Sequence, residues 1–440
     1  MSRRIVLLAA VGVTGLGLLV ALCGAPQPRT TGRQPTAQLG WGFTHTQYSA
    51  DQGSAADRNT ALATLSAQPL PQDQAIMGWG TDNPEPAAGR YDFTTLDSRI
   101  ALIRRTGGTP VITLCCAPDW MKGGRPGTTD WSTLETAPTP GHYADFAALA
   151  ATVARRYPFV RHFIVWNEFK GFWSDTAGRW DYEGYTRLYN LVYRALKHVD
   201  PQIMVGGPYL DMDSLAPGDD SNASAVGGPW GSLDQRTVDA LDYWLRNKAG
   251  ADFLVVDGSS TGSDNRLSPD AFTATTKFSA VSRWLRRISG LPVWWAEWYV
   301  EPEGVQWPDD ELLAVQAAAM MEIAKGGSSA AFYWNPETES GSCPGCLWRS
   351  TAAGAPGGGT GLPMLQLLQR FASAFPPGTP LRAVTVDTPA VRVLGDARAV
   401  LAVNTTARTV RARVDGHRVD LGPYAVVWTT SMPLMTPTTP

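Results

Sequence analysis

The sequence predicts an α/β fold: a (β/α)8 TIM barrel carrying a small C-terminal antiparallel β-sandwich. Three observations predict it. Eight short apolar runs recur between residues 39 and 336, each near-continuous, as strands buried on both faces should be. Helical patterns lie between them. After the last helix the texture changes to period-two alternation broken by Gly and Asp turns. The rival, an open doubly wound sheet, is disfavoured because no GxGxxG follows the first strand and polar residues gather at strand C-terminal ends throughout.

The strand candidates, in order, are LGWGFTH, QAIMGWG, PVITLCC, HFIVWNE, QIMVGGP, DFLVVDG, PVWWAEW and AAFYWNP. YADFAALAATVARRY is the clearest helix, with Phe146, Leu149 and Val153 on one stripe. GYTRLYNLVYRALKHV, TVDALDYWLRNKAG, FSAVSRWLRRISG, LLAVQAAAMMEIAKGG and MLQLLQRFASAF follow the same logic. Several of them end at glycine, a common helix stop. The barrel is expected over residues 39–378 and the sandwich over 379–431, where LRAVTVDTPAVRVLGDARAVLAVN opens the alternation. Residues 432–440 read as a disordered tail.

Before the barrel, residues 1–25 read as a secretory signal or a single membrane anchor, and 26–38 as a polar linker. Two arginines precede the apolar run Ile5 to Leu22, which places the rest of the chain outside the cytoplasm. The protein is thus expected to be secreted or held on the outer face of the cytoplasmic membrane, touching the membrane only through this segment. VALC is a degenerate lipoprotein cleavage site, with Leu22 bulky where a small residue belongs and Cys23 as the acceptor; SRRIVL is a loose twin-arginine pattern.

The net charge of −3 suggests neither nucleic acid nor an anionic surface as partner. Five histidines, none in HExxH or HxH spacing, make a catalytic metal improbable, and no cofactor motif is present. Cys343 and Cys346 form a CPGC loop with no second CxxC and no nearby histidine, so a local disulfide is expected rather than zinc. Cys115 and Cys116 are either two buried thiols or a vicinal disulfide. Seventeen tryptophans are an unusual load, and indole faces serve both cores and sugar-binding grooves.

In a barrel the active site lies at the C-terminal mouth. Strand four ends in Glu168 and strand seven in Glu297, each among tryptophans. A glutamate at a single strand end is commonly just the partner of an arginine. Two of them, on strands that face each other across the barrel, are what retaining glycoside hydrolysis needs: carboxyl groups about 5 Å apart, one attacking the anomeric carbon, the other protonating the leaving oxygen. Tryptophan walls and a neighbouring negative charge would keep the acid protonated near neutral pH.

The sequence here resembles glycoside hydrolase family 39 of the clan A barrel enzymes, the β-xylosidase and exopolysaccharide hydrolase group. The resemblance is carried by YDFTTLDSRIALIRRTGGTPVITLCCAPDWM, VWNEFKGFW, DYEGYTRLYNLVYRALKHVDPQIMVGGPYL, LPVWWAEWY and AFYWN. It implies Glu168 as acid/base, Glu297 as nucleophile, Asn167 as the hydrogen-bond partner of the sugar 2-hydroxyl and Trp334 as a platform under the sugar. The chain departs from the family pattern at Phe169, usually Pro, and Ala296, usually Thr. At strand six, Asp257 stands in place of a substrate-contacting His, and Ser259 in place of the Tyr that donates to the nucleophile. Tyr299 and Tyr209 are candidates for the missing donor.

His45, Trp79, Trp120 and Trp173 fall at or near the mouth and are candidate substrate contacts beside Asp257 and Tyr299. Asp119 fits a turn cap better than a third carboxylate, and Trp166, Trp244 and Trp284 fit packing. Trp294 and Trp295 are adjacent on one strand, so one should point into the barrel and one toward the helices. Glu301 and Glu303 compete weakly with Glu297. The expected function is a retaining β-glycosidase acting on a cell-envelope or extracellular polysaccharide or oligosaccharide. A transglycosidase on the same scaffold is a close variant. A carbohydrate-binding surface protein without catalysis, and a structural spacer, are the readings from other classes.

Overall fold

The computed structural model describes residues 36–336, 343–352, 354 and 356–430. The N-terminal segment, most of its linker, Cys23 and the C-terminal tail lie outside the described residues. Among those described, no helix is long and apolar enough to cross a membrane.

Eight parallel strands close a barrel: β1 (Gly40–Thr44), β2 (Gln72–Ala75), β3 (Pro110–Leu114), β4 (His162–Val165), β5 (Met204–Asp211), β6 (Phe253–Asp257), β7 (Val293–Trp298) and β8 (Ala330–Trp334). Around the ring they run in sequence order, and β8 pairs with β1 from Gly40↔Ala330 to Thr44↔Trp334. Eight principal helices alternate with them: α1 (Ala55–Ser66), α2 (Thr94–Arg105), α3 (Tyr143–Arg156), α4 (Tyr182–Val199), α5 (Gln235–Asn247), α6 (Thr276–Ser289), α7 (Asp309–Gly326) and α8 (Pro363–Ala374). The expected barrel is the observed one.

Two expectations need correction. The second strand is not QAIMGWG but QDQA, two residues earlier and buried at all four positions. A polar strand can be buried because its side chains find partners: Gln72 bonds His45 and Thr106, Asp73 bonds Thr113, and Gln74 bonds Arg99. Second, β4 and β7 do not face each other squarely. They stand three places apart around the ring, one short of opposition. After β5 the Gly/Asp/Ser-rich stretch 210–232 forms much of a small antiparallel sheet (214–215, 223–228 and 231–234) that packs near α6.

The barrel floor is a stack of rings. The Trp294 indole lies 3.8 Å from the Phe253 ring and 5.7 Å from Phe332. Gly42 and Gly206 make room for this stack, because a Cβ at either would collide with Phe332 or Phe253. The chain before β1 closes the bottom: Trp294 Nε1 donates to the Ala37 carbonyl (2.7 Å), and His162 Nε2 donates to that of Thr36 (2.9 Å). Trp295 points the other way and donates to Ser282 on α6 (2.9 Å), as the alternation of a strand requires.

After α8 come β9 (Val391–Gly395), β10 (Ala399–Asn404), β11 (Val410–Val414), β12 (His417–Leu421) and β13 (Val426–Thr430). They form a three-stranded sheet, β9-β10-β13, and a two-stranded one, β11-β12, all antiparallel. Trp428 stacks on Phe375 at 5.8 Å and Tyr424 on Phe272 at 6.4 Å, which ties these sheets to the helical shell. Cys343 and Cys346 sit at disulfide distance, and so do Cys115 and Cys116, which resolves the latter pair as a vicinal disulfide.

Candidate active site

The end of β4 shows how the sequence aims its functional groups. After Val165 the chain turns sharply, with Trp166, Glu168 and Phe169 all at positive φ (70°, 47° and 55°). Non-glycine residues rarely hold this conformation unless their surroundings impose it. The imposing contacts are apolar. Trp166 and Phe169 are both fully buried, the first donating to the Lys170 carbonyl (2.8 Å), the second lying 4.0 Å from the Tyr185 ring. With those two side chains anchored, Asn167 and Glu168 are delivered to the mouth.

Across the mouth, Glu297 ends β7 and is 7% exposed. One carboxylate oxygen each from Glu168, Glu297 and Asp257 lie within 4.8 Å of one another. Tyr209, at positive φ (58°) on β5, donates its hydroxyl to Glu297 Oε1. This supplies the donor that Ser259 cannot. Tyr299, the other candidate, lines the cleft instead. Lys170 lies 3.1 Å from Glu168 and 2.6 Å from Glu135, so the ammonium straps the rim glutamate to the loop after β3.

The electrostatics follow from burial and crowding. Burial first, then the charge of Glu168, pushes the Glu297 carboxyl well above its ordinary range; the Tyr209 hydroxyl and Lys170 pull it back. Asp257 is also pushed well up, by burial and then by Glu168, Asp211 and Glu297. Asp211, its neighbour in register, is pushed up to about 7 by burial and by Asp213. Buried Lys277 stands behind these aspartates and offsets part of their charge. Glu168, Asp257 and Glu297 have metal-ligand spacing, but Tyr209 and Lys170 already hold two of them, so the set is better suited to moving protons.

The carboxylates open onto a cleft of about 730 Å³ whose walls include Trp79, Lys170, Tyr299 and Trp334. At its inner end is a recess of about 10 Å³, shared by Asp73, Asn167, Tyr209, Glu297 and Trp334. The candidates named from sequence divide here. Asn167, Glu168, Glu297, Trp79, Trp334 and Tyr299 line one or both spaces, and Asp257 lies among the carboxylates. His45 reaches the recess wall, but both its ring nitrogens are occupied, by Ser49 (2.5 Å) and Gln72 (2.9 Å). Trp120 is not in the lining: its indole donates to the Glu85 carbonyl (2.8 Å) and packs edge-on against His142. Trp173 sits outside as well, packed on Trp180 in a small hairpin. Asp119 does not cap its own turn: it accepts the amide of Asp130, eleven residues on (2.5 Å), and pairs with Lys122 (3.6 Å), bracing the loop after β3.

A family model described as "Glycosyl hydrolases family 39" matches residues 83–328. The chain belongs to glycosyl hydrolase family 39. This family 39 enzyme is a glycosyl hydrolase, and its barrel resembles several solved structures. A monomeric β-xylosidase from Caulobacter crescentus CB15 superposes with a TM-score of 0.53 at 18% identity, covering 84% of this chain and 74% of that one. SrfJ from Salmonella typhimurium gives 0.59 at 14%, covering 89% of each chain. A conserved exported protein from Bacteroides fragilis gives 0.57 at 12%, covering 88% and 94%. At such identities the likeness is one of fold. A comparison with curated proteins finds no match.

Proposed function

We propose that this enzyme is a retaining glycoside hydrolase that cleaves β-glycosidic bonds in a cell-envelope or extracellular polysaccharide or oligosaccharide. The observation that carries the reading is the separation of Glu168 and Glu297, whose nearest-grouped oxygens lie within 4.8 Å. Double displacement needs carboxyl groups about 5–5.5 Å apart, whereas inversion needs about 6.5–9.5 Å to seat a water between them. The site of action rests on the cationic, then apolar, N-terminus.

In the first step a Glu297 oxygen attacks the anomeric carbon while Glu168 gives its proton to the departing glycosidic oxygen. The sugar is left as an ester on Glu297. In the second step Glu168 takes a proton from water, the resulting hydroxide attacks the same carbon, and Glu297 departs. The double displacement requires Glu297 bare as nucleophile and Glu168 carrying the proton it gives to the leaving oxygen. Tyr209 favours that arrangement because its hydroxyl stabilises the Glu297 carboxylate. Trp334 supplies an apolar face beneath the ring. Transfer to a sugar rather than water would use the same groups and differ only in the second acceptor.

The test is covalent trapping. The full chain is incubated with activated 2-deoxy-2-fluoro glycosides of xylose, galactose, glucose and arabinose, digested, and mapped by mass spectrometry. A sugar on Glu297 is the expected result. Folded protein that hydrolyses a parent glycoside yet carries no sugar on Glu297, or carries it elsewhere, would sink the assignment.

A further inference from the structure

Two of the residues that line the recess at the inner end of the cleft each carry a buried polar atom with no partner. Asp73 is 1% exposed and Asn167 3%. Asp73 Oδ2 accepts the Thr113 hydroxyl (2.8 Å), while its Oδ1 has no hydrogen-bond partner; Asn167 Nδ2 has none either. Other polar groups of the same recess are engaged. The Thr44 hydroxyl donates to the Ala296 carbonyl (3.1 Å), the Tyr209 hydroxyl donates to Glu297, and His45 is bonded at both nitrogens. Buried polar atoms are normally satisfied, so two orphans on residues that line one small space point to something that completes them.

The size of the space says what. About 10 Å³ is roughly the volume that holds a single water-sized group. The polarity is equally specific, since an amide N–H can donate and a carboxylate oxygen can accept. A hydroxyl satisfies both at once, accepting from Asn167 and donating to Asp73.

We propose that Asp73 is a substrate-binding residue of the catalytic subsite, and that the recess it shares with Asn167 takes one ring hydroxyl of the sugar undergoing cleavage. The inference rests on the glycosidase reading of this site and deepens it. It also sets a specificity. A sugar lacking that hydroxyl leaves both orphans unmet, and one carrying an acetamido group there does not fit. Asp73 lies before the stretch matched by the family model, on the strand whose polar sequence hid it. Burial pushes its carboxyl up to about 7, so a bound hydroxyl also relieves an unfavourable site for the charged form.

The experiment is a cycle of enzyme variants against deoxy sugars. The full chain and its Asp73→Asn and Asp73→Ala forms are assayed on the aryl glycoside whose fluoro analogue labels Glu297 fastest, and on each monodeoxy analogue. One analogue should be cleaved by the parent with kcat/KM lower by roughly 10- to 100-fold, the loss of a hydrogen bond to a charged group. On that analogue the variants should cost nothing further, and on the others they should cost that same factor. A uniform loss across all analogues would overturn the inference while leaving the Glu297 assignment intact. Should the variants fail to fold, the parent's glycosyl-enzyme trapped with a 5-fluoro glycosyl fluoride, which keeps the 2-hydroxyl that a 2-fluoro sugar lacks, decides. A ring hydroxyl within about 3.2 Å of Asp73 Oδ1 supports the proposal, and a recess holding only water overturns it. Failure to label Glu297 at all is a different result, and defeats the retaining reading together with this one.

Discussion

The two ends of the barrel interior are built from the same eight strands and could hardly differ more. At the floor, Phe253, Trp294 and Phe332 stack, and the Trp294 indole nitrogen donates to Ala37. At the mouth, three carboxyls crowd within 4.8 Å, and Asp73, Asn167 and Asp257 each keep a buried atom unpartnered. One end is close-packed and largely satisfied. The other holds like charges together and leaves hydrogen bonds unmade, which folding alone would not select. The difference teaches where the function is: the crowded like charges lie at the end that opens onto the cleft, where a ligand can reach them.

That contrast can be broken most severely at the rim. Replacing Glu168 by Ala should lower kcat by roughly 10²–10⁴-fold on substrates with poor leaving groups, the usual worth of a positioned acid. On an aryl glycoside whose leaving group needs no proton, the first step should be nearly unaffected. Pre-steady-state kinetics on both substrate types would check this, and equal losses on the two would remove Glu168 from the acid role.

At the floor the expectation is reversed. Trp294→Ala should destabilise the fold by about 3–5 kcal/mol, through lost burial and the cavity left behind. The kcat/KM of the molecules that remain folded should stay close to that of the parent. Denaturant titration alongside activity per folded molecule would measure the two separately. A loss of activity without a loss of stability would contradict the division of labour.

A smaller effect sharpens the boundary between the two ends. Tyr209 is in the barrel interior, yet its hydroxyl reaches Glu297. That bond favours the charged carboxylate and so holds Glu297 below where burial alone would put it. Tyr209→Phe removes it, Glu297 rises further, and the pH at which the bare nucleophile forms rises with it. The acid limb of the kcat/KM profile should therefore move to higher pH, while activity well above it recovers. An unmoved limb would mean that another group governs the nucleophile.

Much of this architecture was legible in the sequence because it is apolar and periodic. The strands of HFIVWNE and PVWWAEW declared themselves, and with them Glu168 and Glu297 at their ends. What escaped was polar. The strand QDQA offers no apolar run, because Gln72, Asp73 and Gln74 are buried by pairing with distant partners rather than by hydrophobicity. Asp73 was hidden with it. Helix α1 likewise has only Ala61 and Leu65 buried, too thin a stripe to read. Tyr209 stood among the candidates, but a side chain that depends on a left-handed backbone cannot be aimed from residue spacing. His45 and Trp120 illustrate the converse: position near a strand end was legible, but the local partners that occupy their nitrogens were not.

The central claim is that Glu168 and Glu297 act in two displacements at one carbon. The most direct measurement is proton NMR of the earliest product from a β-configured glycoside, read before the free sugar mutarotates. Two displacements predict that the β-anomer appears first and the α-anomer grows in later. If the α-anomer appears first, a single displacement by water is at work and the account is wrong.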